Sequence, residues 1–272
     1  MPSFQPISWI GQGNKTSSMI HPTAIIHKSA TLGTNVKIGP YSVIEKDVTI
    51  GNNCEIGNFV TICPDTYIAE DCKILHCSSI GEIPQDLKFE GEKTKTIIGA
   101  RTRIREYVTV NRGTKALGQT HIGSDCLLMA STHIAHDCIL GDNVIMSNLS
   151  TLGGHVEVGE WAVLGGGVLV HQFTKIGPHA FIGGGFRAVQ DVPPFILAAE
   201  HPLTYKGINS IGLKRRGFSQ EDRKSIKNIY HMYFKSALSR DKSLNKIKTE
   251  LPPSSIKDQI VDFIYTSDRG II

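Results

Sequence analysis

The sequence predicts an all-β solenoid followed by a small α-helical C-terminal domain, and three observations carry that prediction. An aliphatic residue recurs at every sixth position over much of the chain. Glycine is abundant, at 27 of 272 residues, while aromatic residues make up only 7 %. The rhythm stops near Asp191, and helical spacing comes after it. The repeat starts at Ile20 and runs in steps of six through Leu32, Ile44, Ile56, Ile68 and Ile80. It resumes at Ile98, Ile104 and Val110, then runs from Ile122 through Ile134, Met146, Val158 and Val170 to Ile182. All 25 positions share one phase, a run that chance would produce about once in 10¹⁰ sequences. Six matches neither a helix nor a plain strand and suits a short strand plus a turn, repeated.

Glycine often follows the aliphatic residue, as at Gly33, Gly57, Gly99, Gly153 and Gly183, so the corner that needs backbone freedom is expected there. Four residues after the aliphatic one comes a small side chain such as Ser42, Cys54, Cys72, Cys126, Cys138 or Ala162. That slot reads as a small group packed at a corner. This pattern resembles the hexapeptide-repeat family, and the resemblance implies a left-handed parallel β-helix with three hexads per coil over residues 19–191. Interruptions at about 81–97 and 111–121 keep the phase and are expected to be loops thrown out from the prism, where binding groups tend to sit.

The α-helical C-terminal domain is expected over residues 192–272, after Asp191-Val192-Pro193-Pro194. Ser219 followed by Asp222 has the form of a capping box. Ile226, Ile229, Tyr230, Tyr233, Phe234 and Leu238 then follow helical spacing, and a last helix is expected through Ile260, Phe263 and Ile264 after Pro252-Pro253. From Arg187 onward the chain holds 15 basic and 9 acidic residues, a net +6 within a total of +4. Residues 1–18 fit neither part; they read as a leader or extension and receive no function.

Composition excludes several classes. Hydropathy and charge are ordinary, which rules out a disordered chain. No apolar run is long enough to span a membrane, and the N-terminal stretch lacks the form of a secretory signal. The six cysteines show neither C-x-x-C nor zinc spacing, so reduced thiols and a cytoplasmic location are expected. The basic residues are not interleaved with an aromatic platform, so nucleic acid is not an expected partner.

Four of the 11 histidines, His133, His136, His155 and His171, fall within 39 residues. Ile134 is the inward residue of its hexad, which leaves His136 on the turn, where an imidazole titrating near neutrality can act as a general base. Asp137 follows directly and is placed to orient the ring. Three other readings compete: a zinc site of carbonic-anhydrase type built from three histidines, passive ligand binding, and exposed turn histidines without a functional role.

Six strings occurring in order bear on the choice. They are Gly81-Glu82-Ile83-Pro84-Gln85-Asp86-Leu87-Lys88-Phe89, Ile104-Arg105-Glu106 with Asn111-Arg112-Gly113-Thr114, His133-Ile134-Ala135-His136-Asp137-Cys138, Val170-His171-Gln172-Phe173, Gln190-Asp191-Val192-Pro193-Pro194, and Gly212-Leu213-Lys214-Arg215-Arg216-Gly217-Phe218. Together they resemble the UDP-N-acetylglucosamine O-acyltransferase family of the lipid A pathway, from about residue 20 to Arg269-Gly270. The resemblance implies transfer of a 3-hydroxyacyl chain from acyl carrier protein to the glucosamine 3-position, in a homotrimer, without a cofactor. It makes His136 the general base, supported by Asp137, and the Gly154 backbone N–H the donor to the oxyanion. It places Asp86 and Lys88 on a loop that reaches substrate, and His133, His155, His171 and Gln172 along the cleft. Asn209, Arg215 and Arg216 would meet the uridine and phosphates, and Gly184 would close the acyl groove, its missing side chain leaving room for a long chain. The basic tail is expected to dock the acidic carrier protein. Two departures stand out: Ile211 where the family has Glu, and Asn111 where it often has His. They leave open a 3-amino sugar as acceptor.

Overall fold

The computed structural model describes residues 19–236 and 238–272, so the expectation for residues 1–18 lies outside the described residues. The chain forms two compact units, the first ending at Asp137 and the second running from Cys138 to Ile272.

In the first unit short strands, most of two residues, alternate with tight turns and join three parallel sheets. One sheet carries Met19–Ile20, Lys37–Ile38, Glu55–Ile56, Lys73–Ile74, Arg103–Ile104 and Leu127–Leu128 in that order. Lys37 pairs with Glu55 and Glu55 with Lys73, a step of 18 residues each time. Three hexads therefore make one coil. The outward side chains stack in the same register: the two lysine Nζ atoms lie 3.2 and 3.3 Å from the two Glu55 oxygens. Ile68 pairs with Ile98, and Ile98 with Ile122. Both steps exceed a coil by a whole number of hexads, so the excursions after Glu82 and Asn111 leave the phase intact.

The aliphatic slot is buried from Ile38 through Ile182, whereas Ile20, Ile26 and Leu32 are half-buried. A solenoid coil buries its face only against its neighbours, and no described residue stacks on the outer side of these three. The small-residue slot does more than pack. The thiols of Cys54 and Cys72 donate to the carbonyls of Ala69 and Gly99 at 3.0 and 3.1 Å, and Ser42 Oγ donates to Gly57 at 2.7 Å. Each bond ties one coil to the next. No cysteine is in a disulfide.

The corner differs from the expectation. Apart from Gly81 (φ 84°), which follows Ile80 where the first excursion begins, the glycines after the aliphatic residue are not in the left-handed region; that conformation falls two residues later, as at Asn53, Asp71, Asp125 and Asp137, with φ between 57° and 59°. Asn and Asp tolerate it better than most residues. The glycines answer a different need, close stacking of coils. A Cβ at Gly57 would lie 2.8 Å from the backbone nitrogen of His76.

The second unit continues the same pattern through Ile145–Met146, Val163–Leu164 and Phe181–Ile182. Beyond the last hexad, Ile196–Ala199 adds to this sheet in parallel and Thr204–Ile208 pairs back antiparallel. The architecture is a left-handed parallel β-helix of hexapeptide repeats with a helical C-terminal part. Four helices complete it: α1 (Ser210–Arg215), α2 (Gln220–Phe234), α3 (Arg240–Glu250) and α4 (Ser255–Tyr265). The expected capping box begins α2, with Ser219 and Asp222 exchanging hydrogen bonds of 3.0 Å each. The helix ends at Phe234, so Leu238 lies beyond it and is exposed. Tyr230 is fully buried and donates its hydroxyl to Pro194 O at 2.5 Å, anchoring α2 to the end of the repeats. Among the described residues no helix is long and apolar enough to cross a membrane.

Candidate active site

His136 and Asp137 share the turn after the strand His133–Ile134. The Asp137 side chain is wholly buried, while His136 keeps 13 % of its side chain exposed. Asp137 Oδ1 accepts from the N–H groups of Thr114 and Leu117 at 2.9 and 3.3 Å. Oδ2 accepts from the Thr114 hydroxyl at 2.6 Å and from His136 Nδ1 at 2.8 Å. Four donors take up the four lone-pair directions of the carboxylate, which offsets the cost of burying its charge. Asp137 is thereby an orienting group. Because Nδ1 donates, the neutral ring carries its basic lone pair on Nε2.

The second excursion supplies Thr114 and Leu117, and Thr120 Oγ1 accepts the Asp137 N–H at 2.9 Å. The string Asn111-Arg112-Gly113-Thr114 stood out in the sequence, but Thr114 gained no role there, because nothing in its spacing points to Asp137. The neighbouring residues hold the excursions together. Buried Arg112 donates Nε to Gly81 O at 2.9 Å and Nη2 to Pro64 O at 2.8 Å. Asn111 donates Nδ2 to Ile83 O at 3.0 Å and is 3 % exposed. Asn111 thus packs against the first excursion.

Also in this unit, half-buried His133 has Nδ1 2.8 Å from Thr109 Oγ1, and burial pushes its pKa down, so the ring is neutral near pH 7. Asp86 Oδ1 accepts the Lys88 N–H at 3.0 Å, which shapes the first excursion, while the Lys88 side chain is exposed.

In the second unit Gly154 is buried. Its carbonyl accepts from Phe173 N–H at 3.0 Å, and its own N–H makes no hydrogen bond among the described residues. A buried, unspent N–H is what an oxyanion donor requires. His155 stacks on Phe173 with centroids 4.4 Å apart and planes within 5°. His171 and Gln172 are exposed, with His171 Nδ1 3.1 Å from the Gln172 carbonyl oxygen. Asn209, Arg215 and Arg216 come together at one side of a groove of about 760 Å³ whose wall is apolar: Ile145, Val163, Phe181, Leu197 and Ile208. Trp161 also lines it, a residue that sequence reasoning missed. Gly184 is exposed at the corner just past Phe181–Ile182, with Gly166 O 3.1 Å from where its Cβ would be. Asn209 caps α1, its Oδ1 accepting from Gly212 N at 3.2 Å and its Nδ2 donating to His179 O at 2.9 Å.

Comparison with known proteins places these groups in context. Residues 191–272 match the family model of the second domain of UDP-N-acetylglucosamine O-acyltransferase, and residues 47–82 and 119–154 match the bacterial transferase hexapeptide model. The acyl-[acyl-carrier-protein]–UDP-N-acetylglucosamine O-acyltransferase of Myxococcus xanthus is 44 % identical over 93 % of this chain and 99 % of its own. Among solved structures, the UDP-N-acetylglucosamine acyltransferase of Bacteroides fragilis is 42 % identical, with a TM-score of 0.92 over 93 % of this chain and all of its own. That of Francisella novicida is 37 % identical, with a TM-score of 0.91 over 93 % and 94 %.

Proposed function

The chain belongs to the UDP-N-acetylglucosamine O-acyltransferase family, and on that premise we propose that it transfers a 3-hydroxyacyl chain from acyl carrier protein to the glucosamine 3-hydroxyl of UDP-N-acetylglucosamine, the first step of lipid A biosynthesis. The observation that carries this reading is the His136–Asp137 pair, in which every lone pair of the carboxylate is engaged and the ring's basic lone pair is on Nε2.

His136 Nε2 removes the proton from the sugar hydroxyl as its oxygen attacks the thioester carbonyl. The imidazolium that forms is stabilised by Asp137, to which Nδ1–H remains bonded. The carbonyl oxygen becomes an oxyanion, which the Gly154 N–H stabilises by about 2.7–4 kcal/mol. Collapse of the tetrahedral intermediate forms the ester, breaks the C–S bond and returns the Nε2 proton to the leaving thiolate. The thioester is already activated, so this sequence needs no cofactor.

His133, His155, His171 and Gln172 bind substrate, as do Asp86 and Lys88 of the first excursion. Asn209, Arg215 and Arg216 receive the nucleotide, with permanently charged guanidinium groups suited to phosphate oxygens. Gly184 sets the reach of the acyl chain. Residues 192–272 form a basic domain that docks the acidic carrier protein, and the chain acts as a homotrimer in the cytoplasm.

The test is a competition in which the purified chain receives 3-hydroxyacyl carrier protein, UDP-N-acetylglucosamine and the 3-amino analogue, with products resolved by mass spectrometry. An ester on the 3-hydroxyl, cleaved by mild base, is expected. Acylation of the amine alone would overturn the assignment of the acceptor.

A further inference from the structure

Three rings form a ladder on successive left-handed corners: Trp161, His179 and Phe195, with φ of 59°, 58° and 65°. Trp161 stacks on His179 with centroids 6.4 Å apart and planes within 6°, and His179 on Phe195 at 5.5 Å and 15°. Phe218 closes the ladder edge-on, 5.0 Å from His179. Over the exposed end lies Arg216, its guanidinium carbon 5.1 Å from the Trp161 ring centroid.

Two polar atoms in this cluster stand out. Arg216 Nη1 and His179 Nδ1 are both buried and without a hydrogen-bond partner among the described residues. Native proteins rarely leave such groups unsatisfied, so each calls for an explanation. Burial and the Arg216 charge push His179 down to about pKa 4, so at neutral pH its ring does not repel the guanidinium. The indole takes the face of the guanidinium and leaves its edge donors, which match oxyanion geometry. Arg216 and Trp161 both line the groove.

We propose that Trp161 is a positioning residue for the nucleotide sugar: its indole, backed by His179 and Phe195, fixes Arg216 so that Nη1 is spent on a diphosphate oxygen of the substrate. This deepens the function proposed above and rests on it. Trp161 touches no reacting atom; it acts through Arg216.

The experiment measures steady-state kinetics of Trp161→Leu, Trp161→Phe and Arg216→Ala, and of Trp161→Leu in the Arg216→Ala background. Removing the ring face should raise KM for UDP-N-acetylglucosamine roughly two- to thirtyfold, leaving kcat and the KM for acyl donor unchanged. Trp161→Phe should recover most of the loss, and Trp161→Leu should add nothing once Arg216 is gone, the non-additivity expected of coupled residues. If Trp161→Leu does not fold, Trp161→Met carries the same test. An unchanged nucleotide KM, a raised acyl-donor KM instead, or full additivity with Arg216→Ala would overturn the proposal. A wild-type chain inactive on UDP-N-acetylglucosamine would instead remove the underlying reading, so the two failures are distinguishable.

Discussion

Replacing Asp137 by Asn keeps the volume of the side chain and exchanges one acceptor for a donor, and the four donors around the carboxylate determine the outcome. If the new amide NH₂ replaces Oδ1, it faces the Thr114 and Leu117 backbone N–H groups. The buried Thr114 N–H is then left unsatisfied, at about 1–3 kcal/mol. If it replaces Oδ2, it faces the Thr114 hydroxyl and His136 Nδ1. The hydroxyl can rotate to accept, and the ring can accept only by moving its proton from Nδ1 to Nε2. The second arrangement avoids the larger cost, so the variant should fold with little loss of stability but with the wrong tautomer. Its Nε2 is then a donor and cannot take the sugar proton. The expected loss in kcat is about 10²–10⁴-fold, the typical worth of a general base, with KM for UDP-N-acetylglucosamine little changed. Kinetics and ¹⁵N NMR of the ring nitrogens in Asp137→Asn check this. Wild-type kcat, or a ring still protonated on Nδ1 and yet inactive, would refute the reasoning.

Elsewhere in the first unit, Gly57→Ala drives a Cβ to 2.8 Å from His76 N, and thermal or urea unfolding should show about 1–3 kcal/mol of destabilisation from overpacking, although φ at this position suits alanine. His179 has its folded pKa lowered from 6.5 to about 4, so between those values the unfolded chain binds more protons and acidification removes stability, up to about 3 kcal/mol. His179→Phe keeps the stacked ring and should flatten the difference in unfolding free energy between pH 6.5 and pH 4 relative to wild type; equal slopes would count against it. Gly184→Met adds a long side chain at an exposed corner and should shift preference toward shorter donors in assays with carrier proteins of graded acyl length, whereas unchanged selectivity removes its role as ruler.

The repeat was legible because a solenoid writes its core into the chain directly: one inward aliphatic per hexad, in a phase that the excursions preserve by spanning whole hexads. The same periodicity could not locate the corner. Glycine after the aliphatic residue mostly reflects the approach of the next coil, and the left-handed position fell on Asn and Asp but also on aromatic and other side chains such as Tyr41, Phe59, Trp161 and Phe195, residues that a glycine-based reading passes over. The capping box exposed α2, whereas α3 buries only Ser243, Leu244 and Ile247 among charged and polar residues, too sparse a stripe to be seen in advance. At the site, His136 and Asp137 were visible as neighbours in sequence. Thr114 was not, because its bond to Asp137 spans 23 residues and depends on where a loop returns. Trp161 escaped for a similar reason, its partner Arg216 arriving from just past the end of α1, far along the chain.

The most direct measurement compares kcat/KM for UDP-N-acetylglucosamine between the wild-type chain and His136→Ala, with saturating 3-hydroxyacyl carrier protein. With the Nε2 lone pair as proton acceptor, the variant should lose about 10²–10⁴-fold while still binding the nucleotide sugar. A variant that transfers the acyl chain at the wild-type rate would contradict the account.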